Sequence, residues 1–305
     1  MDLLRVDFHA LRSLVLALND AKRIRSADLP TLSLAQRGFA RSWRDLCAGD
    51  AVQTVAFCEA AAAVAAVELG ALDAAALRRG GLDDRAITDL FQKAVAKAGA
   101  SLKSATQDRL FSALPRLIGS DPKGQEPAFV GRLQRQPRAG ATHPSAGRLV
   151  LEPAESHADH CQVVAVAAVL FASESDLDVA PCFLAGIAHH LHNASLPDGG
   201  FAAENLIGDR WPSMVELARE EALSELPATL AASARDACEW IAGANDPGSR
   251  AFHAADVIDR VAEAAHFEHV ARFRLAEALG PFGLVHPGPL KSFQDEVLAE
   301  LGLGS

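Results

Sequence analysis

The chain contains no tyrosine, only two methionines, and five cysteines without a CxxC pair among them. The missing tyrosine says nothing about chemistry. The odd, widely spaced set Cys47, Cys58, Cys161, Cys182 and Cys238 excludes a disulfide framework and a zinc ribbon, so these residues are expected to be reduced and buried as small hydrophobes. No apolar run reaches the roughly 18 uncharged residues that a membrane helix needs; the longest, around 60–67 and 163–172, are much shorter, and no membrane partner is expected. The opening MDLLRVDFHALRSL carries Asp2 and Asp7 and has no basic segment followed by an apolar one, so it does not read as a secretory leader, and a cytoplasmic location is expected. Neither a P-loop nor a GxGxxG stretch is present, which removes the commonest backbone cradles for nucleotide phosphates.

Basic residues are scarce in the second half. Residues 1–120 hold 16 Lys and Arg against 13 Asp and Glu, residues 121–148 hold 5 against 2, and residues 149–305 hold 8 against 24. The net charges are therefore +3, +3 and -16 within the overall -10. An acidic C-terminal half argues against a nucleic-acid polymer as partner, because binding to phosphates relies on clustered Lys and Arg. It suits a cation better, although surface acidity also serves solubility.

What is present is the material of a helical protein. Half of the 305 residues are hydrophobic and 22% are charged, and Ala and Leu dominate, which is enough for a packed core. Leu11, Leu14, Val15 and Leu18 recur at helical spacing, the pattern resumes over 34–47, and 51–69 is a nearly uncharged Ala-rich run that reads as buried. Further helices are predicted over 84–98, 104–118, 158–173, 180–192, 212–223, 227–242 and 253–279. No stretch alternates with period two between turn signals, so no sheet is assigned and the fold class is all-α. Residues 1–118 are read as a helical N-terminal domain for packing or homo-oligomerisation. Residues 119–148 are rich in Gly and Pro and carry Lys123, Arg132, Arg135, Arg138 and Arg148. They read as a linker, either a solvated basic connector or a segment folded over the neighbouring cleft, where an Arg holds a substrate phosphate. Residues 149–305 form the remaining domain.

Eight of the eleven histidines lie between 157 and 269. His157 and His160 are three apart, as are His189 and His192, so each pair shares a face if helical; His190 stands between the second pair. Imidazoles suit Mn, Fe, Co, Ni or Zn, and a carboxylate supplies the hard oxygen such an ion takes in a dry pocket. Asp256, in AFHAADVIDR, is the carboxylate candidate, with Asp259 and Arg260 close by. The competing reading of Asp256 is a residue near a helix N-terminus, favoured by the macrodipole.

The runs AESHADHCQVVAVAAVLFA, LAGIAHHLHNASLPDGG and AFHAADVIDRV resemble the HD-domain superfamily of metal-dependent phosphohydrolases, over about 125 residues. The resemblance implies a helical bundle with His160 as first metal ligand and Asp256 as last. The family's His-Asp doublet is degenerate here: it is His189-His190, or in the other register His192-Asn193. Either replacement makes the site less anionic and favours a softer transition ion over Mg. The implied activity is hydrolysis of a small phosphorylated substrate, a nucleotide being one candidate, by water that a divalent ion activates. Asp198, Glu204 and His157 are candidates for proton transfer, Asp198 being alternatively the turn residue of LPDGG, and Arg148 is the candidate for substrate binding. A di-iron HD-type oxygenase and a non-catalytic regulatory or interaction domain are the alternatives that the degenerate doublet leaves open.

Overall fold

In the computed structural model, residues 4–119, 124–143, 145, 147–271, 274–281 and 283–304 are described; Lys123 lies outside them. Helices α1 (Phe8–Asn19), α2 (Leu34–Cys47), α3 (Val52–Leu69), α4 (Ala74–Arg79), α5 (Asp84–Ala98) and α6 (Ser104–Gly119) come first. A short helix, α7 (Ala128–Arg135), and a small antiparallel hairpin of β1 (Ala141–His143) and β2 (Gly147–Leu149) follow, with Thr142 opposite Arg148. The rest is α8 (His157–Glu174), α9 (Val179–Ala188), α10 (Gly200–Ile207), α11 (Trp211–Leu223), α12 (Ala228–Trp240), α13 (Pro247–Ala271), α14 (Leu275–Leu279) and α15 (Lys291–Glu300). The fold class is all-α. The hairpin corrects the expectation of no sheet: its three-residue strands are too short to show alternation in sequence.

Local chemistry sets the helix starts. Asp83 caps α5 by accepting from the Ala86 amide at 2.8 Å, and Asp178 caps α9 through Ala180 at 3.0 Å. Ser33 with Gln36 and Ser156 with Asp159 form capping boxes at α2 and α8. The two boxes interlock, because the Ser33 hydroxyl bonds Asp159 and Gln36 Nε2 donates to Ser156 Oγ at 2.9 Å. The start of the helix bearing His160 is thus pinned to the N-terminal helices.

All eighteen residues of α8 are buried, as expected of a helix apolar on every side. Its tightest neighbour is α9. A Cβ on Gly186 would lie 2.4 Å from Ala165 Cα, so only glycine permits this approach. Side chains from residues 4–118 and from α8, α9, α12 and α13 belong to one continuous core, which includes Trp43, Phe129, Phe171 and Phe183. Residues 119–148, expected as a linker, contribute to it: Phe129, Val130 and Leu133 of α7 are fully buried. Among the described residues, α3 is long and apolar enough to cross a membrane by length and composition although it carries Glu59 and Glu68, and half of that window is buried within the protein. Its Glu59 forms a two-point pair with Arg41 at 2.6 and 2.8 Å.

Candidate metal centre

Three elements bring the candidate ligands together. His160 lies one turn into α8, Asp256 is on α13, and His189 and His190 follow the last residue of α9. The helix expected over 180–192 ends at Ala188 and resumes as a 3-10 turn over Leu191–Ala194. Breaking the chain there presents two adjacent imidazoles to α8, which one continuous helix face does not do.

The partners of the ring nitrogens fix the tautomers. His160 Nδ1 lies 2.7 Å from Asp259 Oδ2, His189 Nδ1 lies 2.8 Å from the Gly186 carbonyl oxygen, and His190 Nδ1 lies 2.8 Å from Asn193 Oδ1. The Asn193 amide is itself oriented by donation from Nδ2 to the Leu196 carbonyl at 3.0 Å. Each of these oxygens accepts, so each Nδ1 carries the proton. Burial, helped by the neighbouring His160, takes His189 down to about 3, and burial likewise holds His190 well below the ordinary imidazole range. Both rings are therefore neutral, with lone pairs on Nε2.

These Nε2 atoms converge. His160 Nε2 is 3.1 Å from His189 Nε2 and 3.3 Å from Asp256 Oδ1, and His160, His189 and His190 place ligand atoms within 4.8 Å of one another. The His189 Nε2 lone pair faces His160 Nε2 at 3.1 Å, a contact that a proton or a metal ion between the two nitrogens makes favourable. For bonds of about 2.05 Å, adjacent ligand atoms of a tetrahedral ion are separated by about 3.3 Å, so both short edges fit. An imidazole whose Nδ1–H is held by a carboxylate or carbonyl is the usual arrangement behind a metal-bound Nε2. Burial would raise the Asp256 carboxyl, but Arg260, whose Nη2 donates to Oδ2 at 3.0 Å, and His160 hold it well below the usual range. A charged oxygen accordingly faces the histidines.

Behind His160 lies a second charged group. Burial disfavours charge on Asp259, but Lys22 and His160 outweigh it and bring the carboxyl down to about 2. Burial also opposes the Lys22 ammonium, yet Asp259, Glu155 and Glu263 hold it above the ordinary range. Nothing in the sequence around Lys22 signals this role. Asp259 was visible three residues beyond Asp256, on the same helical face.

A cavity of about 320 Å³ adjoins the imidazoles and is bordered by His189, His190, Asp256, Asp198, Glu204 and Arg138. Arg138, from the expected linker, donates from Nη1 to His190 Nε2 at 3.2 Å, and its Nε lies 3.3 Å from Glu155 Oε1. It is the arginine that reaches the imidazoles. Arg148 is exposed on β2, donates to the Gly199 carbonyl at 3.3 Å, and is not among the cavity's walls. Asp198 accepts from the backbone amides of Ala139 and Gly200 at 2.8 and 2.9 Å, which is the work of a turn residue, while facing the cavity. Glu204 is half-buried there, its carboxyl raised by burial and by Asp198. His253, also on the wall, is tied to the Ile241 carbonyl at 2.9 Å. Phe201 stacks on His286 with ring centres 4.3 Å apart.

Two candidates sit outside the convergence. His157 is fully buried against His190, with ring centres 4.7 Å apart, and neither ring nitrogen has a hydrogen-bond partner among the described residues; Asp198 is 3.6 Å away. His192 was expected on one face with His189, but the break at Ala188 turns it aside. It packs on His190 at 5.6 Å and, like Asp256, belongs to neither group of candidate metal ligands among the described residues, but unlike Asp256 it makes no close contact with His160. No protein-family model, no curated protein and no solved structure matches the chain.

Proposed function

We propose that His160, His189, His190 and Asp256 hold a divalent transition-metal ion, and that the adjoining cavity hydrolyses a small phosphate ester. The observation that carries this reading is the set of three imidazoles whose ligand atoms lie within 4.8 Å of one another, with Nδ1 atoms anchored on oxygen acceptors and with His160 Nε2 3.3 Å from Asp256 Oδ1. A His3Asp set suits Zn, Fe, Co, Ni or Mn better than Mg, which prefers oxygen donors. A bound ion would polarise a phosphoryl oxygen and make a water acidic enough to attack it.

The chain's own groups fit the rest of the reaction. Ligation through His190 Nε2 displaces the hydrogen bond from Arg138, freeing a guanidinium to meet an anionic phosphate oxygen. Arg260 adds positive charge on the same wall. Glu204, with its raised carboxyl, can hold a proton for the leaving oxygen. Enclosure keeps His157 from direct contact with substrate and makes it a packing partner of His190. The resemblance to HD-domain phosphohydrolases supports the same ligands and reaction class, with His190 standing where the family has its Asp.

The test is metal content together with phosphatase activity on a panel of phosphomonoesters. The reading expects stoichiometric metal, activity that a chelator removes, and loss of both in His189→Ala. Protein that never acquires metal would contradict it and leave a non-catalytic module.

A further inference from the structure

Lys22 comes from the 3-10 turn after α1, in a segment that none of the histidine motifs touches. Its side chain is 2% exposed. Nζ bonds Glu155 Oε2, lies 2.8 Å from Asp259 Oδ2 and lies 3.5 Å from Glu263 Oε2. Asp259 Oδ2 is also the atom that accepts the His160 Nδ1 proton. Glu155, His160 and Asp259 place ligand atoms within 4.8 Å of one another, the second such group in the described residues, and it shares His160 with the first.

Three carboxylates around one buried point require a cation, because unpaired charge in such surroundings is strongly disfavoured. An ammonium is a compact point charge with three donors, and here it faces three carboxylates. Arg23 and Arg138 satisfy outer positions, on Glu263 at 2.5 Å and on Glu155 at 3.3 Å. Neither takes the centre, so the central position is filled by Lys22.

We propose that Lys22 is the tethered second cation of this centre: its ammonium fills a carboxylate pocket behind His160, limits the wild-type protein to one metal ion, and uncovers a second ion site when removed. The clause about one ion rests on the metal reading above; the pocket itself does not. Lys22 acts as a positioning residue through Asp259 and His160. Its oxygen-rich surroundings suit Mn2+, which the histidine cluster also accepts.

The experiment counts Mn2+ bound per chain after equilibrium dialysis, with electron paramagnetic resonance to detect coupling between neighbouring ions, in wild type, Lys22→Arg and Lys22→Ala. One ion is expected in wild type and Lys22→Arg, and two coupled ions in Lys22→Ala. Two ions in the wild type would overturn the proposal without any variant having to fold. A folded Lys22→Ala that binds no more ions than the wild type would overturn it as well. Should Lys22→Ala be unfolded without metal, restoration of cooperative unfolding by Mn2+ supports the pocket and failure to restore it counts against it. Adding His189→Ala and His190→Ala to Lys22→Ala separates the two claims. An ion retained there supports the Lys22 pocket even if the wild type binds none, a result that would defeat the histidine site alone; an ion lost there defeats the pocket.

Discussion

Replacing Gly186 with alanine tests whether the packing of α9 on α8 sets the geometry of the imidazoles. The added Cβ would meet Ala165 Cα at 2.4 Å, its Cβ at 2.7 Å and its N at 2.8 Å, whereas carbon atoms in contact rest about 3.5–4.0 Å apart. The obstacle is helix backbone, which cannot swing aside, so α9 must retreat by on the order of 1 Å. Overpacking of this kind costs about 1–3 kcal/mol. The same retreat carries His189, whose Nδ1 is held by the Gly186 carbonyl, away from His160 Nε2. A misplacement near 1 Å at a reacting centre is worth about 100-fold, and loss of support behind a metal ligand about 10- to 100-fold in affinity. Thermal unfolding and metal titration should show both effects, a melting point lower by a few degrees and affinity reduced at least about tenfold. Cys182→Ala, at the far end of α9 and buried against Gly248, should lower stability through a small void but spare metal affinity. Unchanged metal binding in Gly186→Ala would refute the claim that this contact positions the site.

Other perturbations have distinct signatures. The unfolded chain protonates His189 and His192 near 6.5, whereas burial delays protonation in the folded protein to about 3 and about 4. Stability of the metal-free protein should therefore be full above pH 6.5 and fall as the pH drops toward 4, by on the order of 1 kcal/mol per pH unit for each group; flat denaturation midpoints over that window would contradict the burial described. Arg41→Ala strands the Glu59 carboxylate, which is 1% exposed, and should cost about 3 kcal/mol in urea unfolding, with Glu59→Gln in the same chain recovering most of it. Glu204→Gln should lower kcat at least about tenfold while metal content stays unchanged. Arg138→Ala should raise KM for a phosphate ester, and Arg148→Ala should leave kcat/KM unchanged.

The helices were legible because their signals are local. The limits of α2 and α5 follow from Ser33 and Asp83 at the caps and from apolar spacing. The approach of His160 to Asp256 was legible because chemistry-bearing residues interrupt apolar helices. The hairpin and α7 were hidden in a stretch whose Gly and Pro content reads as loop, although Phe129, Val130 and Leu133 are deep in the core. Arg138 could be named only as one basic residue among five, since what distinguishes it is the long-range approach of that stretch to His190. The end of α9 at Ala188 carries no Gly or Pro, so the turn that separates His189 from His192 was not visible in the spacing. Lys22 is 237 positions from Asp259, and no local pattern can announce such a pair.

Metal content per chain of the protein as purified, compared with His160→Ala and with Asp256→Asn, tests the central claim most directly. The account expects one tightly held transition-metal ion in the wild type, little or none in His160→Ala and weakened retention in Asp256→Asn. Metal-free wild type that stays metal-free after incubation with Zn2+, Mn2+ and Fe2+, or full occupancy in His160→Ala, would contradict it.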